Sequence, residues 1–114
     1  PLHAALHGDT VKPEYSPTVA EGTAIKNPTR LKEMVRAIRD TGGSTVILTE
    51  EEIIEASLKL ARTGIYVEPT CAHAAAGMKR FIENGSIHAD EETIVLLTGT
   101  GLKSTFFYAE QFET

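Results

Sequence analysis

The chain has 114 residues, of which 41% are apolar, and a formal net charge of −5. That length fits one small domain or a piece of a larger one, with roughly two thirds of the unfolded surface open to burial. The acidic balance excludes a sequence-independent grip on nucleic acid, which needs clustered Lys and Arg, and no apolar run is long enough to cross a membrane. One cysteine, Cys71, excludes an internal disulfide. With no basic, apolar leader at the front, it points to a reducing cytoplasm. The sequence opens on Pro1 without an initiator Met, so an incomplete chain is expected.

Residues 1–26 read as an irregular leading segment, punctuated by Gly8, Pro13, Pro17 and Gly22. Asn27-Pro28 then opens a helix over about 28–41, since Asn caps well and Pro is tolerated at the first helical position. Leu31, Met34, Val35 and Ile38 form its apolar stripe, and Gly42-Gly43 ends it. Residues 45–48 read as a buried strand. Thr49 caps a second helix over 50–63, with Glu52 completing a capping box. Ile54, Leu58 and Ala61 form that helix's stripe, joined by Ile53 and Leu60. Gly64 stops it. Residues 65–67 make a short strand, and a third helix runs over 70–84, started by Pro69 or Thr70 and rich in Ala. Cys71, Ala75, Met78 and Ile82 are its expected buried face.

The run Thr93 to Leu97 is apolar and mostly branched, as in a strand covered on both faces. Helix and strand alternate, which implies parallel pairing with right-handed crossovers. The fold class is therefore α/β, a partial three-layer α/β/α with a short parallel sheet. One partial domain covers 1–114: the leading segment 1–26, an α/β core over 27–105 and an aromatic tail over 106–114. That tail covers a sheet edge, packs on its own domain or meets a partner chain. Ligands of open α/β sheets sit beyond the carboxyl ends of strands. Thr98, followed by Gly99 and Gly101, holds that position, although a strand with an ordinary turn has the same pattern.

Other groups carry less. Glu50, Glu51 and Glu52 suit the positive end of a helix rather than a metal, since no His or Asp stands at matching spacing. No metal site is expected. Cys71 reads as a small core hydrophobe, because no base is held beside it in sequence. His73 reads as a partly exposed polar residue. Gly99 to Thr105 superficially resembles a phosphate-binding Walker A loop, but Leu102 separates the last Gly from Lys103.

Three segments occur in a telling order: Thr18-Val19-Ala20-Glu21-Gly22, Val67-Glu68-Pro69-Thr70, and Leu97-Thr98-Gly99-Thr100-Gly101-Leu102-Lys103. With Asn27-Pro28 and Arg39-Asp40-Thr41-Gly42-Gly43 between them, they resemble the C-terminal part of the fold-type II pyridoxal-phosphate-dependent enzymes. That group includes serine and threonine dehydratases, serine racemase, cysteine synthase and threonine synthase, and the last is the nearest in look. The resemblance spans roughly residues 15–105. It implies the C-terminal segment of the large domain of a tryptophan synthase beta-like fold. It also implies a parent lyase that converts O-phosphohomoserine and water to threonine and phosphate, with pyridoxal 5'-phosphate as cofactor. A dehydratase-like lyase is the alternative, and a non-catalytic binding or oligomerisation module a third. By resemblance, Thr98 bonds the pyridine nitrogen, the Gly22 backbone passes the ring, Glu68 lies near the ring substituents, and Gly99 and Gly101 leave room beside it. The family's lysine and its phosphate loop lie upstream of this stretch. None of Lys12, Lys26, Lys32, Lys59, Lys79 or Lys103 matches the lysine motif, so no catalytic residue is expected here and the chain alone should be inactive. The expected partners are an amino-acid substrate in the parent and further copies of the chain, paired through open sheet edges.

Overall fold

Two neighbours in sequence, the second and third expected helices, pack on each other at the centre of the molecule. The computed structural model describes residues 1–8 and 15–113. Its helices are α1 (Leu2–His7), α2 (Leu31–Asp40), α3 (Glu50–Arg62), α4 (Pro69–Glu83) and α5 (Thr105–Phe112), with 3-10 turns at Glu21–Thr23 and Gly101–Ser104. α3 packs on α4, and α1 on α2. The deepest residues of α3 are Ile53 and Ser57, and those of α4 are Pro69, Cys71, Ala72 and Ala76. Small side chains on the α4 face let the two helices approach closely. Ser57 is tolerated there because its hydroxyl donates to the Ile53 carbonyl at 2.8 Å. The rim carries ion pairs, Arg80 Nε to Glu52 Oε1 at 2.6 Å and Lys79 Nζ to Glu55 Oε2 at 3.4 Å, which add little at such exposure.

The helix ends follow from local chemistry. Thr49 and Glu52 form the expected capping box, with the Thr49 N–H donating to Glu52 Oε2 at 2.7 Å and the Glu52 N–H to Thr49 Oγ1 at 3.3 Å. Pro69 takes the first turn of α4, where its missing N–H is harmless. α2, α3 and α4 each close with the same Schellman turn, through Gly42, Gly64 and Gly85. At Gly64 φ is 86°, and the next N–H, of Ile65, bonds back to Leu60 at 3.0 Å. α2 starts three residues later than Asn27-Pro28 implied. The Pro28 carbonyl first accepts the Leu31 N–H in a separate turn, and the helical ladder begins with Met34 N–H to Arg30.

Three expectations change. First, no β-strand forms among the described residues. Residues 45–48 and 93–97 lie without sheet pairing, and Val67 makes one isolated antiparallel bridge to Thr100. The parallel sheet expected for 45–48, 65–67 and 93–97, and with it the three-layer arrangement, is therefore absent here. The reason is visible in the burial. Val46, Leu48, Val95 and Leu97 are half-buried, whereas Ile47, Ile94 and Leu96 are exposed, Ile94 at 89%. Each segment is covered on one face, and a parallel strand needs cover on both and partners at its edges. Second, the leading segment is not wholly irregular: α1 packs on α2, and His3 Nδ1 lies 2.8 Å from Thr45 Oγ1. Residues 9–14 of that segment, including Lys12 and Pro13, lie outside the described residues. Third, most of the aromatic tail is α5, and it packs on its own domain. Tyr108 is 4% exposed, and its hydroxyl donates to the Val67 carbonyl at 2.6 Å. Thr114 lies outside the described residues.

Candidate functional site

The start of α4 gathers residues from three distant stretches. Around the Val67–Thr100 bridge, the Glu68 N–H donates to the Gly99 carbonyl at 3.2 Å and the Gly101 N–H to the Tyr66 carbonyl at 3.0 Å. This short pairing sets Thr98 and Gly99 against the first turn of α4. There the Gly99 N–H donates to Cys71 Sγ at 2.8 Å, and Cys71 Sγ lies 3.3 Å from Thr98 Oγ1. From the other side comes the 17–23 loop. The Gly22 N–H donates to Thr70 Oγ1 at 3.0 Å, and the Val19 N–H donates to Glu50 Oε2 at 2.8 Å. Ala20, wholly buried, anchors that loop.

Between these parts lies a cleft of about 710 Å³. Its walls are the 17–22 loop, Glu50 at the start of α3, the start of α4 and the region from Lys103 into α5. Ligand clefts commonly have this size. Gly22 and Glu68, two of the five residues singled out in the sequence, line it. The other three stand behind it. Thr98 is an exposed residue whose hydroxyl rests on Cys71. Gly99 is buried, and a Cβ there would overlap Glu68 Oε1 and lie 2.5 Å from Glu68 Cδ. Gly101 is buried too, and a Cβ there would meet three carbons of the Tyr66 ring at 2.6 to 2.8 Å. The space that these two glycines free is thus filled by the chain's own side chains. Glu68 Oε1 also lies 4.0 Å from Lys103 Nζ and 3.7 Å from Cys71 Sγ.

The sequence implies Thr70 only as part of the Val67–Thr70 motif and helix start, and Cys71 only as a core hydrophobe. The spacing held a signal: Glu68 and Cys71 stand three apart across a helix start, and so share a face. Tyr66 is a further addition, packed against Tyr108 with ring centroids 4.7 Å apart. His73 stands outside the cleft, as a half-buried residue whose Nδ1 has no hydrogen-bond partner among the described residues. Burial holds its pKa below the usual 6.5, against the opposing pull of the Glu50 carboxylate. Among the described residues no group of His, Cys, Asp and Glu could hold a metal ion, and no helix is long and apolar enough to cross a membrane.

Comparison with known proteins gives this geometry a context. A family model described as "Pyridoxal-phosphate dependent enzyme" matches residues 1–99. A threonine synthase of Methanocaldococcus jannaschii is 42% identical over 87 residues, covering 75% of this chain and 22% of that protein. A threonine synthase of Methanosarcina acetivorans is 40% identical over 95 residues, covering 82% of this chain and 24% of that protein. One from Bacillus sp. strain ULM1 is 34% identical over 91 residues, covering 79% and 26%. The chain thus spans about a quarter of the length of these relatives.

Proposed function

This chain belongs to the family of pyridoxal-phosphate dependent enzymes, and from that membership we propose that it is the cofactor-ring side of a threonine synthase. The family has pyridoxal phosphate as its cofactor and implies the tryptophan synthase beta-like fold. In this reading the whole enzyme converts O-phosphohomoserine and water to threonine and phosphate. It acts in the cytoplasm as a homo-oligomer, and the 114-residue chain alone is inactive. The exposed Ile47, Ile94, Leu96 and Phe106 support further burial against more protein.

Of the five residues, Gly22 and Glu68 line the cleft that would take the cofactor, and Thr98 lies outside that lining with its side chain exposed. When bound, the group supplies an electron sink for chemistry at the substrate's α carbon. Thr98 offers a neutral hydroxyl, exposed and held from behind, which suits an unprotonated ring nitrogen. Among the described residues the side-chain partner of that hydroxyl is the Cys71 sulfur rather than a carboxylate. Gly22 presents backbone at the edge of the cleft, fixed by Thr70. Glu68 places a carboxylate on the cleft wall, where the resemblance would put the ring substituents. Gly99 and Gly101 keep the 98–101 backbone free of side chains that would push Glu68 and Tyr66 outward. The observation that carries the reading is the convergence of the three motifs on the first turn of α4, through Gly22 to Thr70, Glu68 to Gly99 and Gly99 to Cys71.

Assay of the whole enzyme that contains this stretch tests the proposal. Phosphate release from O-phosphohomoserine, with little turnover of serine or threonine, is the expected result. Turnover of serine or threonine without phosphate release puts a dehydratase in its place. Thr98→Val removes one buried-site hydrogen bond of about 1–3 kcal/mol, a loss of roughly five- to hundredfold in rate at some step. Thr98→Ser keeps the donor and is much milder.

A further inference from the structure

Cys71 is not simply a space-filling core residue. It is 4% exposed, and its sulfur touches three polar groups: the Gly99 N–H at 2.8 Å, Thr98 Oγ1 at 3.3 Å and Glu68 Oε1 at 3.7 Å. A thiol has one hydrogen to give and is a weak acceptor. The Gly99 N–H can only donate, so one acceptor site of the sulfur is taken. Two arrangements put a hydrogen between the sulfur and Thr98 Oγ1. In one, the thiol hydrogen goes to Thr98 Oγ1, and the Thr98 hydroxyl hydrogen is free to point outward. In the other, the thiol hydrogen goes to Glu68, and the Thr98 hydroxyl donates back to the sulfur, leaving no outward donor. The second asks a poor acceptor to take two hydrogen bonds and uses the longer contact.

We propose that Cys71 is a positioning residue: its thiol donates to Thr98 and so turns the Thr98 hydroxyl into an outward donor for an unprotonated ring nitrogen. The inference rests on the role given to Thr98 above and adds what sets that hydroxyl's direction. It accounts for a buried thiol whose sulfur lies against a polar side chain. A side chain without a donor at 71 would leave the Thr98 hydroxyl free to rotate and the Gly99 N–H without its acceptor. Serine keeps both functions, with a shorter reach.

The test uses the whole enzyme loaded with pyridoxal phosphate that carries nitrogen-15 in its ring, and reads the chemical shift of that nitrogen. Thr98→Val should move the shift toward that of a nitrogen with no donor. Cys71→Ala and the near-isosteric Cys71→Val should move it the same way by a smaller amount, and Cys71→Ser should return it to the wild-type position. A space-filling role for Cys71 predicts lower stability in the Ala variant with an unmoved shift, and that result overturns the inference while leaving Thr98 in place. A moved shift that Ser does not restore also overturns it. An unmoved shift in Thr98→Val itself overturns the role of Thr98, and the inference with it. A second readout does not depend on replacing Cys71 by an apolar residue. The S–H stretching band of Cys71, isolated by difference against Cys71→Ser, should rise toward the free-thiol frequency in Thr98→Val. A band that stays in place shows that the thiol does not donate to Thr98.

Discussion

Gly99→Ala is expected to destabilise the protein through one neighbour. The Gly99 φ is not among the positive values, so the backbone itself accepts an alanine. The obstacle is Glu68: the new methyl would overlap its Oε1, lie 2.5 Å from Cδ and lie 3.0 Å from Cγ. The carboxylate can swing away about its outer bonds, but Cγ is fixed closer to the backbone and stays within the tight range. Such overpacking costs about 1–3 kcal/mol. In a Glu68→Ala background all three obstructing atoms are gone. Glycine to alanine at a permitted φ then stabilises by about 0.4–1 kcal/mol, because the unfolded chain loses freedom. The two substitutions should therefore couple by roughly 1.5–4 kcal/mol in a double-mutant cycle. Glu68→Ala should itself be mild, since the Glu68 side chain caps no N–H and its pairing with Lys103 is long. Denaturant midpoints of the four proteins measure the cycle. Equal penalties for Gly99→Ala with and without the Glu68 side chain, within about 0.5 kcal/mol, would refute the packing of Gly99 against that carboxylate.

Three other outcomes are expected. Tyr108→Phe leaves the buried Val67 carbonyl without the 2.6 Å donor that ties α5 to the 66–68 segment, and should lower stability by about 1–3 kcal/mol in the same denaturation assay. Thr49→Ala removes half of the capping box at α3, a loss of about 1 kcal/mol, and a Glu52→Ala variant should add less than its own full penalty on top. His73 favours its neutral form when folded, so its contribution is fully present above the usual 6.5 and is lost as pH falls from 6.5 through its lower folded value. Unfolding midpoints at pH 7.5 and 5.5 should therefore converge in His73→Gln relative to wild type. An unchanged pH slope in that variant would assign the acid sensitivity elsewhere.

The helices were legible because their signals are local. Thr49 with Glu52, Pro69, Gly42 and Gly64 each act within one turn of where they stand, and each acts as the sequence implied. What failed was information held by distant neighbours. α1 has six residues and no side-chain cap, too little to nucleate alone, and it depends on α2 and on the His3–Thr45 contact. α5 hides in an aromatic run whose meaning is set by Tyr108 reaching back to Val67. The buried faces were misjudged for a related reason. Hydropathy ranks Ile54 and Leu58 above Ser57, and Ile82 above Ala72. Yet the close α3–α4 contact selects small side chains, so Ser57 and Ala72 are buried while Ile82 is half exposed. For 93–97, a continuous apolar run states that both faces avoid water; it does not state that this chain covers both.

The site shows the same division more sharply. The resemblance implied a shared neighbourhood for Gly22, Glu68 and Thr98, and hydrogen bonds join the segments that carry them. Order could not say how they are joined. Gly99 lies 28 residues beyond Cys71, and no local period links them. Taken alone, Cys71 is a small residue on the apolar side of a helix, and its burial fits that description. Its polar role follows only once the Val67–Thr100 bridge sets the 98–99 backbone against the first turn of α4. One short antiparallel contact therefore decides whether Thr98 is an ordinary residue after an extended run or a hydroxyl with a fixed direction. A substitution that breaks the bridge should thus disturb Thr98 without touching it. Gly101→Ala does this most directly, because three carbons of the rigid Tyr66 ring, backed by Tyr108, block the added methyl. It should cost at least as much stability as Gly99→Ala and should shift the Thr98 signals in the spectrum of the folded protein. Unmoved Thr98 signals would show that the bridge and the hydroxyl are independent.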